Sequence, residues 1–176
     1  MLLRRTNIKP WTEEWQAAYF KEEKRLKEIF QEEVIDIVHI GSTSVPFIGY
    51  AKPVIDILIV VKDIEKIDLF NEKMKDIGYE PKGENEISGR RYFPKGGDER
   101  MHHVHIFQIG NQHIQTHLDF KAYLSEHKEE AKKYGELKVR LAEKFPEDHQ
   151  LYQDGKQSFV TGLAERAEQW AATRRR

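Results

Sequence analysis

Two short runs of the sequence decide the fold: residues 39–46 read HIGSTSVP, and residues 51–57 read AKPVIDI. A β-branched run, Val34–Ile40, leads into the first motif, and a nearly continuous apolar run, residues 54–61, overlaps the second. Apolar runs of this length are typical of strands that are covered on both faces of a sheet. We therefore predict two neighbouring strands of one central sheet, joined by a loop at its ligand-binding end.

The pattern outward from these strands alternates between helical and extended segments. Apolar residues at helical spacing predict helices over residues 11–33 and 64–77. Residues 79–109 favour two or three strands, with a hairpin turn over residues 95–98, and the remaining C-terminal third is helical and divided at Pro146. The expected fold class is α+β (mixed α/β), with one central sheet flanked by helices.

Composition excludes several classes of protein. The 176 residues suit a single domain, residues 1–176, and 29 Lys plus Arg against 30 Asp plus Glu give a net charge of -1. Bulk binding of nucleic acid or of an anionic membrane needs a basic field, whereas a small phosphorylated ligand needs only a local positive patch. There is no cysteine for disulfides or thiolate zinc sites, no apolar signal segment and no apolar stretch long enough to span a bilayer. We expect a cytoplasmic protein.

The turn and the strand that follows it indicate a phosphate site. Backbone N–H groups and hydroxyls in such a turn hold phosphate oxygens, and Lys52 is placed to neutralise one. Asp56 interrupts the apolar run, which is costly unless the carboxylate has a partner, and a ligand or a Mg²⁺ ion is the expected partner. The alternative is a structural turn with Asp56 in a salt bridge. The candidate phosphate-binding residues of the turn are Gly41, Ser42, Thr43 and Ser44.

These motifs resemble the GrpB family, which belongs to the nucleotidyltransferase-fold superfamily and also occurs fused to dephospho-CoA kinase. The resemblance implies a nucleotidyltransferase-like mixed sheet. In that superfamily a Gly-Ser turn precedes two carboxylates spaced by one residue, and a later strand carries a third. Here Leu58 stands in the place of the second acid, and residues 101–109 carry no acid. The resemblance extends through RYF at 91–93, HHVHI at 102–106, FKAYL at 120–124, Tyr134, LK at 137–138 and FP at 145–146.

Histidine stands where the later acid is expected. By alternation, His103 and His105 share one face of their predicted strand, and the family's strand order places that face beside Asp56. The three residues would hold a divalent metal, Mg²⁺ or Mn²⁺ with Zn²⁺ as the alternative. Asp56 and His105 are also candidates for acid–base chemistry, and ordinary exposed strand histidines are the other interpretation.

Other polar residues carry weaker indications. Arg91 lies within the resemblance and is a candidate for a bidentate contact with phosphate, against the alternative of a surface ion pair. The remaining C-terminal histidines have no comparable setting and are expected at the surface: His113, His117, His127 and His149.

The sequence leaves the function open between different classes. One is a protein that binds a nucleotide or other phosphorylated small molecule and, with a reduced carboxylate set, transfers a nucleotidyl or phosphoryl group with a divalent metal. Another is a non-catalytic accessory module that binds a ligand or a partner protein on the same scaffold, and a third is a metal-dependent hydrolase. Retention of the Gly-Ser turn, Lys52 and Asp56 favours the first, and the missing acids favour the second. The oligomeric state is not indicated.

Overall fold

A computed structural model describes residues 5–97 and 101–175 of the chain. Within these ranges, single 3₁₀ segments connect several of the regular elements, at Gln31–Glu33, Ser42–Ser44, Pro46–Ile48 and Ile64–Phe70. The strands are β1 (Lys9–Pro10), β2 (Val34–Ile40), β3 (Tyr50–Ala51), β4 (Ile55–Val61), β5 (Arg90–Lys95) and β6 (His102–Gln108), and the helices are α1 (Glu13–Phe30), α2 (Asn71–Asp76), α3 (Gln112–Glu126), α4 (Lys128–Lys144) and α5 (His149–Arg174).

The central sheet has the order β2-β4-β6-β5. Strands β2 and β4 pair antiparallel, β4 and β6 parallel, and β6 and β5 antiparallel, so the sheet is mixed. The predicted pairing of the two apolar runs is confirmed, and so is the fold class. β4 is covered on both faces because helices pack on either side of the sheet. β1 and β3 form a separate two-stranded ribbon.

The two faces of the sheet pack against different parts of the chain. One face carries Ile57 and Ile59 and forms the main core with α1 and the segment that follows β4. The other face carries Leu58 and Phe107 and packs against α3. Helices α4 and α5 surround the loop after β2, where Val45 and Ile48 are buried against them. The C-terminal helices therefore lie over the end of the sheet at which the Gly-Ser turn is located.

Several predicted boundaries differ from the structure. The first helix ends at Phe30, and residues 64–77 are divided between a 3₁₀ segment and α2. In the predicted hairpin turn, Lys95 is the last residue of β5, Gly96 and Gly97 turn the chain, and Asp98 lies outside the described residues. No helix within residues 5–97 or 101–175 is both long and apolar enough to cross a membrane.

Candidate functional site

The site forms where β2 ends and β4 begins. Ile40 pairs with Asp56 across the antiparallel ladder, which brings Gly41 directly over the Asp56 carboxylate. Gly41 has φ +74°, and a Cβ atom there would lie 2.6 Å from Oδ2 of Asp56. Glycine at this position therefore supplies both the backbone conformation and the space for the carboxylate.

The hydroxyls of the turn have different surroundings. Thr43 Oγ1 donates to the carbonyl of Val54 (3.0 Å) and contacts Nε2 of His39 (2.9 Å), and Ser44 Oγ donates to the carbonyl of Gly41 (2.6 Å). Both side chains are buried and serve to hold the turn together. Ser42, by contrast, accepts a hydrogen bond from the Lys138 ammonium. The predicted use of Thr43 and Ser44 hydroxyls for phosphate is therefore not supported, because both are engaged within the protein.

Asp56 lies between two histidines. Parallel pairing of β4 with β6 places His103 opposite Asp56, and His105 lies two residues further on the same face. Oδ1 of Asp56 is 3.3 Å from Nδ1 of His103 and 3.3 Å from Nε2 of His105. The predicted common face is confirmed. Burial alone would raise the pKa of Asp56, but the hydrogen bonds from both histidines outweigh it and hold the pKa well below the usual range.

Lys138 contacts Ser42, and the charges of two lysines from distant parts of the chain, Lys52 and Lys156, act on it. Lys138 on α4 is only 3 % exposed, and its Nζ lies 4.2 Å from the ring centroid of Tyr134. Burial, with the nearby charges of Lys156 and Lys52, puts the pKa of Lys138 well below its ordinary value. Burial, again with the charge of Lys52, lowers the pKa of Lys156 to about 8. Among the described groups that shift these two pKa values, Asp56 is the one acid.

Lys138 was not among the residues that the sequence indicated. The motif LK at 137–138 belonged to the resemblance. The Glu-Lys run at residues 129–133 of the same helix, however, is typical of a solvent-exposed helix face. The available signal was the spacing: Lys138 continues the apolar stripe of Ala131 and Tyr134 and precedes Leu141 by three residues, so that it must face the core side of α4.

A glycine allows α4 to approach the Gly-Ser loop. A Cβ atom on Gly135 would lie 1.7 Å from the carbonyl oxygen of Ile48, so the helix backbone rests directly on the 3₁₀ segment Pro46–Ile48. Lys138 lies one turn further along the same side of the helix and reaches Ser42. The close contact at Gly135 thus determines the distance between the Lys138 amino group and the turn.

Arg91 lies on the other face of the sheet. Its Nε and Nη2 donate to the Asp68 carboxylate at 2.8 and 3.3 Å, so the structure shows the surface ion pair and places Arg91 away from the turn. Successive strand residues point to opposite faces, and Arg90 is the arginine on the site's face. Arg90 is 7 % exposed, and its Nη1 lies 3.3 Å from Nδ1 of His105.

Two histidines that were expected at the surface lie near the site instead. The ring of His117 on α3 is 5.7 Å from that of His105, and burial lowers its pKa to about 4, so it is neutral. Nε2 of His149 lies 3.5 Å from Nζ of Lys52, and its Nδ1 lies 3.1 Å from the Thr6 hydroxyl. Periodicity does not reveal such positions, because they depend on where α3 and α5 dock.

A cavity of about 960 Å³ adjoins the candidate site. Lys52 and His103 line it, so it is continuous with both the lysines and the histidines of the site. Residues 5–8 and the helix α4 supply further walls, among them Ile8, Val139 and Ala142.

Comparisons with known proteins agree with this geometry. The sequence matches the GrpB protein family over residues 5–166. The chain belongs to the GrpB family. Conserved protein GrpB from Enterococcus faecalis, known from its crystal structure, is 40 % identical with a TM-score of 0.88, and the match covers 93 % of this chain and 99 % of that one.

Further GrpB relatives and a more distant fold neighbour extend the comparison. UPF0157 protein YqkA of Bacillus subtilis is 46 % identical over 167 residues, which is 95 % of this chain but only 48 % of that protein, so this chain spans about half of its length. The Cid1 poly(U) polymerase is 16 % identical with a TM-score of 0.51 over 77 % of this chain and 43 % of that one. That likeness concerns the fold alone and confirms a nucleotidyltransferase-like scaffold.

The Asp56 carboxylate allows a prediction about the free energy of unfolding of this GrpB-family chain. The sequence indicated a ligand or metal as its partner, whereas the structure supplies two imidazoles. Asp56→Asn should therefore lower the free energy of unfolding at pH 7 by about 2 kcal/mol, as expected for hydrogen bonds to a charged group. Because the folded-state pKa lies below the unfolded value, this contribution is present above pH 4 and is lost as the pH falls through the folded-state pKa.

Urea denaturation of both proteins between pH 7 and pH 3 measures this difference. We expect the two curves of stability against pH to run parallel down to about pH 4 and to begin to approach each other below it. Equal or higher stability of Asp56→Asn at pH 7 would contradict a stabilising role for the Asp56–histidine hydrogen bonds.

Proposed function

We propose that this chain binds the phosphates of a nucleotide or other phosphorylated small molecule between Ser42 and the three lysines Lys52, Lys138 and Lys156. The observation that carries the proposal is Lys138, a lysine that is 3 % exposed and whose pKa is lowered by burial and by the charges of Lys156 and Lys52. Like charges that are gathered and desolvated cost free energy, and an anion between them repays that cost. Among the described groups that shift the pKa values of Lys138 and Lys156, Asp56 is the one acid, and it already accepts from two histidines.

The scaffold and the cavity support a ligand of nucleotide size. Cid1, whose fold is similar, has been solved with a UTP analogue. In the present chain, a volume of about 960 Å³ lies within the usual range for small-molecule sites and is lined on one side by Lys52. Phosphates held by the lysines would leave the organic part of the ligand in this cavity.

Thermal shift measurements with ATP, ADP and inorganic tripolyphosphate, each with and without Mg²⁺, test the proposal. A ligand at about 100 times its dissociation constant stabilises the folded state by about 2.7 kcal/mol, which is readily measured. Tripolyphosphate alone should already raise the melting temperature, because the lysines bind its charge. No shift with any of the three compounds at millimolar concentration would reject the proposal.

A non-catalytic binding module is the second candidate, and Leu58 favours it. This residue stands where a second carboxylate would be, is 0 % exposed in the centre of the sheet and has no atom that could hold a metal ion. Incubation with ATP and separation of the products distinguishes the candidates. Binding without any release of pyrophosphate or phosphate supports the module, and release that Asp56→Asn abolishes supports the transferase.

Phosphate binding should depend on pH through Lys156. Its pKa in the free protein is about 8, below the ordinary value, so it is charged at pH 7 and largely neutral at pH 9. A bound polyanion favours the ammonium form, so binding above pH 8 takes up a proton. The affinity for ATP should fall by about tenfold per pH unit above pH 8. Calorimetry at pH 8.5 in two buffers of different ionisation enthalpy measures the uptake.

Lys156→Met provides the control for this pH effect. The variant should bind ATP more weakly at pH 7 and should lose most of the decline between pH 8 and pH 9. An unchanged decline in the variant would assign the effect to another group.

A further inference from the structure

We propose that Arg90 is a positioning residue that holds His105 as its Nε2–H tautomer, so that His105 donates to Asp56 and is not a metal ligand. The hydrogen-bond geometry of Arg90, His105 and Asp56 supports this role. It does not depend on whether the chain binds phosphates.

A guanidinium donates hydrogen bonds and accepts none. Arginine carries only donors, and Nη1 of Arg90 lies 3.3 Å from Nδ1 of His105 within hydrogen-bond geometry. Nδ1 of His105 must therefore be the acceptor. A neutral imidazole with an accepting Nδ1 has its proton on Nε2, and Nε2 is the atom that lies 3.3 Å from Oδ1 of Asp56. Arg90, His105 and Asp56 thus form one chain of donors and acceptors.

Arg90 itself is firmly held. Its Nε and Nη2 donate to the carbonyl oxygens of Glu84 and Asn85 at 3.2 and 2.9 Å, and its guanidinium lies 4.7 Å from the ring centroid of Tyr92. The side chain is 7 % exposed. Two carbonyls and the ring of Tyr92 therefore fix the direction of the Nη1–H group that donates to His105.

This arrangement conflicts with a resident metal. The nitrogens and oxygen of Asp56, His103 and His105 lie within 4.8 Å of one another, which is close enough for a shared ion. A metal can bind Nε2 of His105 only through a lone pair on that nitrogen. The proton would then have to lie on Nδ1, where it would face the N–H donor of Arg90. Without His105, one carboxylate and one imidazole remain, fewer than the three protein ligands usual for catalytic Zn²⁺. The metal set predicted from the sequence, Asp56, His103 and His105, therefore does not fit these residues as they are hydrogen-bonded.

Nitrogen NMR of the unmodified protein tests the tautomer directly. Long-range ¹H–¹⁵N correlation spectra of ¹⁵N-labelled protein at neutral pH distinguish Nε2–H from Nδ1–H imidazoles, and His105→Gln identifies the signal. We expect His105 to be the Nε2–H form. A majority of the Nδ1–H form would overturn the proposal, and this measurement requires no change at Arg90.

Titration with Co²⁺ alone tests the consequence. Arg90→Met removes the donor and keeps the length of the side chain, and Arg91→Met makes the same change on the opposite face of the sheet. Arg90→Met should raise the affinity for Co²⁺ by about tenfold or more, the scale on which outer hydrogen-bond partners alter metal sites. It should also shift His105 toward the Nδ1–H form, and adding His105→Ala should abolish the gain. Arg91→Met should behave as the unmodified protein.

Two results of the titration would refute the positioning role. One is an unmodified protein that binds Co²⁺ through His105 as tightly as Arg90→Met does. The other is an equal gain in Arg91→Met, which would reflect only the loss of a positive charge.

Discussion

Lys138→Met should weaken the binding of ATP by about 100-fold or more and should leave the folded protein as stable as the unmodified chain or more stable. Removing a buried charged group from an interface with an opposite charge costs about 2–5 kcal/mol of binding free energy, and each tenfold loss of affinity corresponds to about 1.4 kcal/mol. In the free protein, burial and the charges of two other lysines disfavour the charged form of the same amino group. Methionine fills a similar volume without that penalty, which is why stability should not fall.

Lys132→Met on the exposed side of the same helix is the matched control. It should change neither ATP binding nor the melting temperature appreciably. A large loss of stability in Lys138→Met with ATP binding intact would show that the lysine is structural and would remove the main support for the phosphate site.

Gly135→Ala should destabilise the protein by about 1–3 kcal/mol, although alanine normally stabilises a helix. The new methyl group would meet the backbone carbonyl of Ile48 at 1.7 Å, and a backbone atom cannot move aside alone. Helix α4 would have to shift, and Lys138 would move away from Ser42 with it. We therefore expect weaker ATP binding together with a lower melting temperature.

Gly162→Ala, in helix α5, gives the opposite expectation and serves as the control. A Cβ atom there has as its nearest neighbour the flexible end of Arg166 at 3.2 Å, which has room to move. The substitution should stabilise the protein by up to about 1 kcal/mol, as helix propensity predicts. Similar losses at both positions would indicate that the contact with Ile48 does not constrain α4.

The sequence predicted those parts of the site that depend on one strand and its neighbour. The two-residue period placed His103 and His105 on one face, and the Gly-Ser turn located Asp56 beside Gly41, as the structure confirms. The same period explains why Arg90 and not Arg91 lies on the face of the site, because a strand residue shifted by one position points to the opposite face.

The parts that were missed depend on long-range packing. Lys138 reaches Ser42 only because α4 rests on the loop at Gly135, and the charge of Lys156 acts on Lys138 only because α5 packs beside α4. His117 approaches His105 only through the docking of α3 on the sheet. A local pattern describes one helix at a time, so it shows that Lys138 lies on an apolar stripe but not which polar group it meets across the interface.

The segment of residues 5–10 has an evolutionary consequence. It forms part of the cavity wall and pairs through β1 with β3, but it contributes no strand to the central sheet. Substitutions there would change which organic groups the cavity accepts, while Ser42 and Lys138 would stay in place. Selectivity and affinity would thus reside in separable stretches of sequence. Related proteins could diverge in the compounds they choose while keeping one inherited way of holding a phosphate.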